Sequence, residues 1–243
     1  MRKLIIIGLG GIGSQLLPSL LQFLNYESEK SFKSVWLVDG DHYEEKNKNR
    51  QLFNGNENKA ISQVMTYNRL YTNLSLSFID KYVTKDNISK IVKNDDVVLL
   101  CVDNNATRKM FNEYLLKDTI KDLTIISGGN EYFDGNVMIS VKRDGVMLTK
   151  TFSELHPEIL EDVDKNPDEL SCEELSNSSG NEQIGLINAS VADSMRLILF
   201  SMLKGRGINY EEVFISGLTG NTRNVQFNNP EKRLKIRELY TEE

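Results

Sequence analysis

A run of aliphatic residues, KLIII at 3–7, ends in the glycine-rich GLGGIGS and passes directly into the apolar helical pattern of Gln15–Leu24. Continuous apolarity predicts a strand buried on both faces, as in a parallel sheet. Strand, glycine loop and helix in that order form the context in which G-x-G-x-x-G, here Gly8, Gly10 and Gly13, binds a nucleotide. Gly8 permits the tight turn, Gly10 lets backbone approach a phosphate, and Gly13 lets helix and strand pack closely. With Gly11 completing the loop, the helix N-terminus offers free N–H groups to an anion. A glycine turn kept for packing alone is the competing reading.

The following strands place acids beside this loop. SVWLVD, residues 34–39, reads as a second strand ending in Asp39, with Asp41 two residues on. An acid at that position bonds ribose hydroxyls, and to this point an NAD-dependent dehydrogenase fits equally well. The polar stretch DGDHYEEKNKNRQ then carries Asn47 and Arg50, and Lys59 opens an apparent helix after GNEN. Arg50 suits a forked contact to phosphate oxygens, and Lys59 a point charge. DDVVLLCVD, residues 95–103, is another buried strand that ends on acid. In open α/β sheets ligands sit at the carboxyl ends of strands, so Asp103 faces the same crevice. Its carboxylate suits a Mg²⁺ ion bridging phosphates. Cys101, inside the strand, reads as a small core residue.

Composition narrows the class. In 243 residues, 29 Lys and Arg stand against 35 Asp and Glu, for a net charge of −6. A general nucleic-acid-binding surface needs the opposite balance. Two cysteines and two histidines cannot build a tetrathiolate zinc site, and Cys101 with Cys172 allows at most one disulfide. The N-terminus lacks a signal-peptide cleavage pattern. No apolar stretch is read as reaching the roughly 18–20 residues of a membrane span. The expectation is a soluble, cytoplasmic protein with neither nucleic acid nor membrane as partner.

GLGGIGS, VDGDHYEEKNKNRQ, GNENKA and CVDNNATR, in that order over residues 4–108, resemble the motifs of the ThiF/MoeB/ubiquitin-activating superfamily. TIISGGNEYFDGNVMI, residues 124–139, extends the resemblance, where the family has a strand, a glycine turn and a second strand. The resemblance implies an adenylating enzyme that uses ATP and Mg²⁺. The C-terminal carboxylate of a small ubiquitin-like (β-grasp) or sulfur-carrier protein would attack the α-phosphate, giving acyl-adenylate and pyrophosphate. By position, Asp39 matches the ribose-binding acid, Asn47 and Arg50 the phosphate-handling pair, and Lys59 the phosphate-binding lysine, with a shortened gap after Arg50. Asp103 matches the aspartate that positions Mg²⁺ and the reacting groups. Two departures stand out. The first strand begins at about Lys3, without the helix whose arginine reaches the partner's active site in family dimers, and there is no paired-cysteine zinc ribbon. A homodimer is thus an open expectation, and zinc is not expected.

In the second half, residues 136–150 read as two strands around an Arg143-Asp144-Gly145 turn. From Glu154 to Glu182 ten acids stand against one lysine, with Pro157, Pro167 and SNSSGNE marking a loop. Ile184–Lys204 is a long apolar helix, VFISGL and NVQF are closing strands, and the tail Pro230–Glu243 is charged with helical character. Cys172 lies in the loop, where some superfamily members place a nucleophile that captures the acyl group. Glu173 and Glu174 beside it disfavour a thiolate, so a loop cysteine without catalytic use is the equal alternative. Cys172, Gln183 and Asn188, with the closing helix and strand, resemble the ThiF-related protein of the ParB-related, ThiF-related (PRTRC) cassette of mobile elements. That resemblance implies a ubiquitin-like partner encoded nearby.

The expected fold is α/β and a single ThiF-type domain. A Rossmann-like nucleotide-binding half, residues 1–135, continues into a mixed β-sheet flanked by helices, residues 136–243, with a crossover loop at about 154–182. The competing functions are an NAD(P)- or FAD-dependent oxidoreductase, which leaves Asn47, Arg50, Lys59 and Asp103 unexplained, and a noncatalytic nucleotide-binding scaffold of the same fold.

Overall fold

A computed structural model describes residues 2–27, 31–45, 48, 57–161, 185–229 and 231–236. The described residues build one nine-stranded sheet. Its strands are β1 (Lys3–Ile7), β2 (Ser34–Val38), β3 (Leu76–Ile79), β4 (Val97–Leu100), β5 (Leu123–Asn130), β6 (Asp134–Arg143), β7 (Val146–Met147), β8 (Tyr210–Ser216) and β9 (Thr222–Gln226). The spatial order is β3-β2-β1-β4-β5-β6-β8-β9, with β7 paired to β6. β3, β2, β1, β4 and β5 run parallel, and the antiparallel pairing begins at β5–β6. From β1 the chain moves outward to β2 and β3, then returns to the other side of β1 with β4. The sheet therefore has a topological switch point between β1 and β4, where a crevice opens at the carboxyl ends.

The helices are α1 (Gly11–Tyr26), α2 (Lys59–Leu70), α3 (Ile88–Ile91), α4 (Asn105–Leu116), α5 (Phe152–Leu155), α6 (Glu158–Glu161) and α7 (Gly185–Leu203). α1, α2 and α7 cover one face, and the second face carries α3 to α6. Leu4 and Ile6 of β1 point to the first core, Ile5 and Ile7 to the second, which is why the strand reads as unbroken apolar sequence. Leu16, Leu17, Leu20, Leu21 and Leu24 of α1 are buried, each contributing about 1.5–3 kcal/mol of transfer free energy. Pro18 interrupts the α1 ladder, and Arg196 of α7 donates to the carbonyls of Gln15 (2.7 Å) and Leu16 (3.2 Å).

Four expectations change. Gly128 and Gly129 are not a turn: they lie inside β5, and the reversal is made at residues 131–133. Gly128 is small because a Cβ there would meet Met195 Sδ at 2.6 Å. Residues 231–236 of the tail are not helical. Leu234 bridges to Ile208, and Leu234 and Ile236 are buried in the first core. The crossover region is not loop throughout, since α5 and α6 occupy its first residues. Finally, α7 has 19 residues and a mean hydropathy of 1.4, enough by length and composition to cross a membrane. Its Ile187, Val191, Met195, Ile198 and Met202 face the first core, so it packs as a core helix. The Arg143–Gly145 hairpin stands as expected, with Asp144 and Gly145 at positive φ.

Candidate functional site

The carboxyl ends of β1, β2 and β4 bring together residues far apart in the chain. Gly8 sits directly after β1 at φ +85°, and a Cβ on it would lie 2.8 Å from the Cys101 carbonyl oxygen. A Cβ on Gly13 would lie 2.0 Å from the Gly8 carbonyl oxygen, so helix and loop touch through these two glycines. Gly10 is the N-cap of α1 and supplies no side-chain cap, leaving the first-turn N–H groups facing the crevice. Cys101 is buried behind the loop, and burial pushes its thiol up to about 12, in keeping with a core residue.

Asp39 follows β2 and is nearly inaccessible. Its Oδ2 accepts from the Leu9 N–H at 2.6 Å and its Oδ1 from the Asp41 N–H at 2.8 Å. It thus ties the glycine loop to the end of β2. Burial pushes Asp39 up to about 6, against the pull of the nearby Lys59 ammonium.

Asn58 fixes the position of Lys59. Its Oδ1 caps α2 by accepting from the Ala60 and Ile61 N–H groups, and its Nδ2 donates to the carbonyls of Asp39 (2.9 Å) and Asp41 (3.1 Å). Lys59 is thereby turned into the crevice, buried, with Nζ 2.9 Å from Asp41 Oδ2. Burial pulls its ammonium down, but the carboxylates of Asp39, Asp41 and Asp103 outweigh that and its pKa is raised. Tyr82 donates its hydroxyl to Asp41 Oδ1 and lays its ring over Gly40, where a Cβ would meet it at 2.6 Å. Burial, then Asp41, raises the Tyr82 phenol.

Asp103 is exposed just before the Asn104 cap of α4. Arg108, one turn into α4, donates to the Val102 carbonyl at 2.8 Å and to Asn105 Oδ1 at 2.9 Å, bracing the turn that carries Asp103. Beyond the crevice, Glu212 of β8 accepts from Asn136 Nδ2 (2.9 Å) and pairs with His156 Nε2 (2.6 Å), and His156 Nδ1 pairs with Glu158 (2.8 Å).

The structure therefore gathers Gly8, Gly10, Gly11, Gly13, Asp39, Lys59 and Asp103 at one edge. Asn47, Arg50, Cys172 and Gln183 lie outside the described residues. Tyr82 and Glu212 lie outside the sequence motifs, and Asn58 and Arg108 lie within GNENKA and CVDNNATR without a role read from them. Asn58 is legible in retrospect as an asparagine immediately before an apolar helical pattern.

Residues 2–238 match the ThiF family. The chain belongs to the ThiF family. Among its relatives is the adenylyltransferase and sulfurtransferase UBA4 of Candida albicans, 28% identical over 141 residues, which cover 56% of this chain and 30% of that protein. The adenylyltransferase and sulfurtransferase MOCS3 of Dictyostelium discoideum is 29% identical over 139 residues, 56% of this chain and 30% of that protein. The chain thus aligns with less than a third of the length of these relatives. The fold matches crystal structures of E. coli MccB. With ATP, that protein has a TM-score of 0.66 at 14% identity, over 96% of this chain and 65% of that one. In complex with N-formylated MccA the TM-score is 0.67 at 14% identity, over 96% and 66%. In this ThiF-family chain the mixed sheet flanked by helices is as expected, and the motif likeness of residues 4–108 is part of a match along almost the whole chain.

Proposed function

We propose that this ThiF-family protein uses ATP to adenylate the C-terminal carboxylate of a small ubiquitin-like or sulfur-carrier protein. The observation that carries this reading is Lys59, buried among Asp39, Asp41 and Asp103 beside a glycine loop at the switch point. An oxidoreductase employs the loop and the β2 acid, but has no need of a buried ammonium turned toward the phosphates. The names of the curated relatives, all adenylyltransferases, support the same chemistry.

In the proposed arrangement the first-turn N–H groups of α1 hold a phosphate and Asp39 accepts from the ribose. Arg50 and Lys59 neutralise the polyphosphate, and the Asn47 amide donates to it. A carrier carboxylate oxygen attacks the α-phosphorus, the bond from that phosphorus to the bridging oxygen breaks, and pyrophosphate leaves. Positioning and charge neutralisation supply most of the catalysis in such transfers. Mg²⁺ would be held by Asp103 together with phosphate oxygens, and supplies neutralisation of phosphate charge when bound. Among the described residues no group of three or more Asp, Glu, His or Cys side chains is arranged to hold a metal alone. That fits an ion that arrives on the nucleotide.

Calorimetry with ATP·Mg²⁺ and, separately, NAD⁺ tests the reading. Saturable binding of ATP·Mg²⁺ without comparable NAD⁺ binding is expected. Tight NAD⁺ binding without ATP binding would overturn it.

A further inference from the structure

Asn188, in the first turn of α7, is fully buried, and neither its Nδ2 nor its Oδ1 has a hydrogen-bond partner. A buried carboxamide carries two donors and an acceptor, and leaving them unpaired costs about 1–3 kcal/mol. An apolar side chain of the same shape would fill the space without that cost. The amide is also aimed at one place: a Cβ on Gly11 would lie 2.2 Å from Asn188 Nδ2 and 2.9 Å from its Oδ1. Gly11 is the first residue of α1, so the carboxamide flanks the turn whose N–H groups face the crevice.

The neighbouring helices at this edge sharpen the contrast. α2 is capped by the Asn58 side chain and α4 by Asn104. α1 has Gly10 as its N-cap and so no side-chain cap, and the asparagine beside it donates to nothing. An uncapped helix N-terminus with an unpartnered, fully buried amide against its first turn is a donor set assembled for an anion.

We propose that Asn188 is a phosphate-binding residue, whose Nδ2 donates to an oxygen of the nucleotide phosphate held at the N-terminus of α1. The inference rests on the nucleotide reading above and extends it to a residue from the far half of the chain. It also gives Gly11 a reason: a side chain there would occupy the space of the amide. α7 thereby joins the nucleotide site to the half of the chain that follows the crossover.

The test uses Asn188→Leu, which copies the branched shape without polar atoms, and Asn188→Asp, which replaces the donor with an anion. Wild type and both variants are titrated calorimetrically with ATP·Mg²⁺, inorganic triphosphate and adenosine, and melted without ligand. The leucine variant is expected to melt at or above wild type, yet bind ATP·Mg²⁺ and triphosphate at least tenfold more weakly, with adenosine affinity within twofold. The aspartate variant is expected to lose more. Affinities for both phosphate probes within threefold of wild type in both variants would overturn the assignment and leave Asn188 a packing residue. A leucine variant that fails to fold contradicts the orphan-amide premise, and Asn188→Asp then decides the binding by the same threefold limit. Wild-type protein that binds no ATP overturns both readings, whereas normal wild-type binding with unaffected variants overturns this one alone.

Discussion

Lys59 Nζ lies 2.9 Å from Asp41 Oδ2, a buried ammonium held by a carboxylate that is 46% exposed. The pairing gives the lysine an internal counterion at the spot where a polyphosphate would supply another. Asp41 therefore competes with the nucleotide for Lys59. Asp41→Asn is expected to raise ATP affinity severalfold while lowering the melting temperature, because it weakens the ion pair and the Tyr82 contact. Lys59→Met is expected to lower ATP affinity at least tenfold. Calorimetry beside thermal melts checks both, and weaker ATP binding by Asp41→Asn would contradict the competition.

Arg50→Ala and Asp103→Ala are expected to abolish ATP–pyrophosphate exchange with the fold intact. Asp103 is exposed, so its removal should cost little stability. Loss of a preorganised charge aimed at a reacting phosphate costs on the order of 10²–10³ in rate. Circular dichroism and exchange rates are measured together, and a loss below threefold in either variant would mean that residue has been given the wrong role.

His156 pairs with Glu212, whose side chain is 3% exposed, and with Glu158 on its other nitrogen. The Glu212 hydrogen bond raises the imidazole to about 9, against an opposing effect of burial. Because the folded value lies above the ordinary 6.5, the pair's stabilisation is complete below about 6.5 and is lost as pH rises through about 9. Urea unfolding at pH 6.5 and pH 9.5 should show a fall for wild type that is largely absent in His156→Gln. At pH 6.5 that variant should be less stable by about 2 kcal/mol, since it leaves Glu212 without its charged partner. An identical pH slope in both proteins would contradict the assignment.

Much of the nucleotide edge was legible because its signals are local. Ile5 and Ile7 face one core and Leu4 and Ile6 the other, so β1 reads as continuous apolarity, and Gly8 to Gly13 follow at once. β3 was not legible: Leu76–Ile79 is a four-residue edge strand, only partly buried. Gly128 and Gly129 mimic a turn in sequence because nothing local reveals that Met195 and Val191 of α7 press against Gly128. The contact of Asn188 with Gly11 was hidden for the same reason, since it joins the two halves of the chain through tertiary packing alone. Leu234 and Ile236 lie in a charged tail, and their burial goes with the pairing of Leu234 to Ile208 and the hydrogen bond from the Ile236 N–H to the Met202 carbonyl, not with any helical period.

Cys172 is expected to act after adenylation, if it acts at all, because the nucleophile of the first step is the carrier's carboxylate. Cys172→Ala should keep pyrophosphate exchange and lose any thiol-sensitive adduct with the carrier. A nonreducing gel of protein, ATP and carrier, wild type beside variant, reads this directly. Exchange without an adduct in either protein would make the acyl-adenylate itself the product.

Activation of a protein C-terminus by ATP is measured most directly by ATP–pyrophosphate exchange. Wild-type protein is incubated with ATP·Mg²⁺, labelled pyrophosphate and a set of candidate small β-grasp proteins, each with a free C-terminus and with the last two residues removed. Label should enter ATP only with the intact carrier, and Arg50→Ala and Asp103→Ala should suppress it by at least a hundredfold. Saturable ATP binding with no carrier-dependent exchange across the set would contradict adenylation and leave a nucleotide-binding scaffold of the ThiF fold.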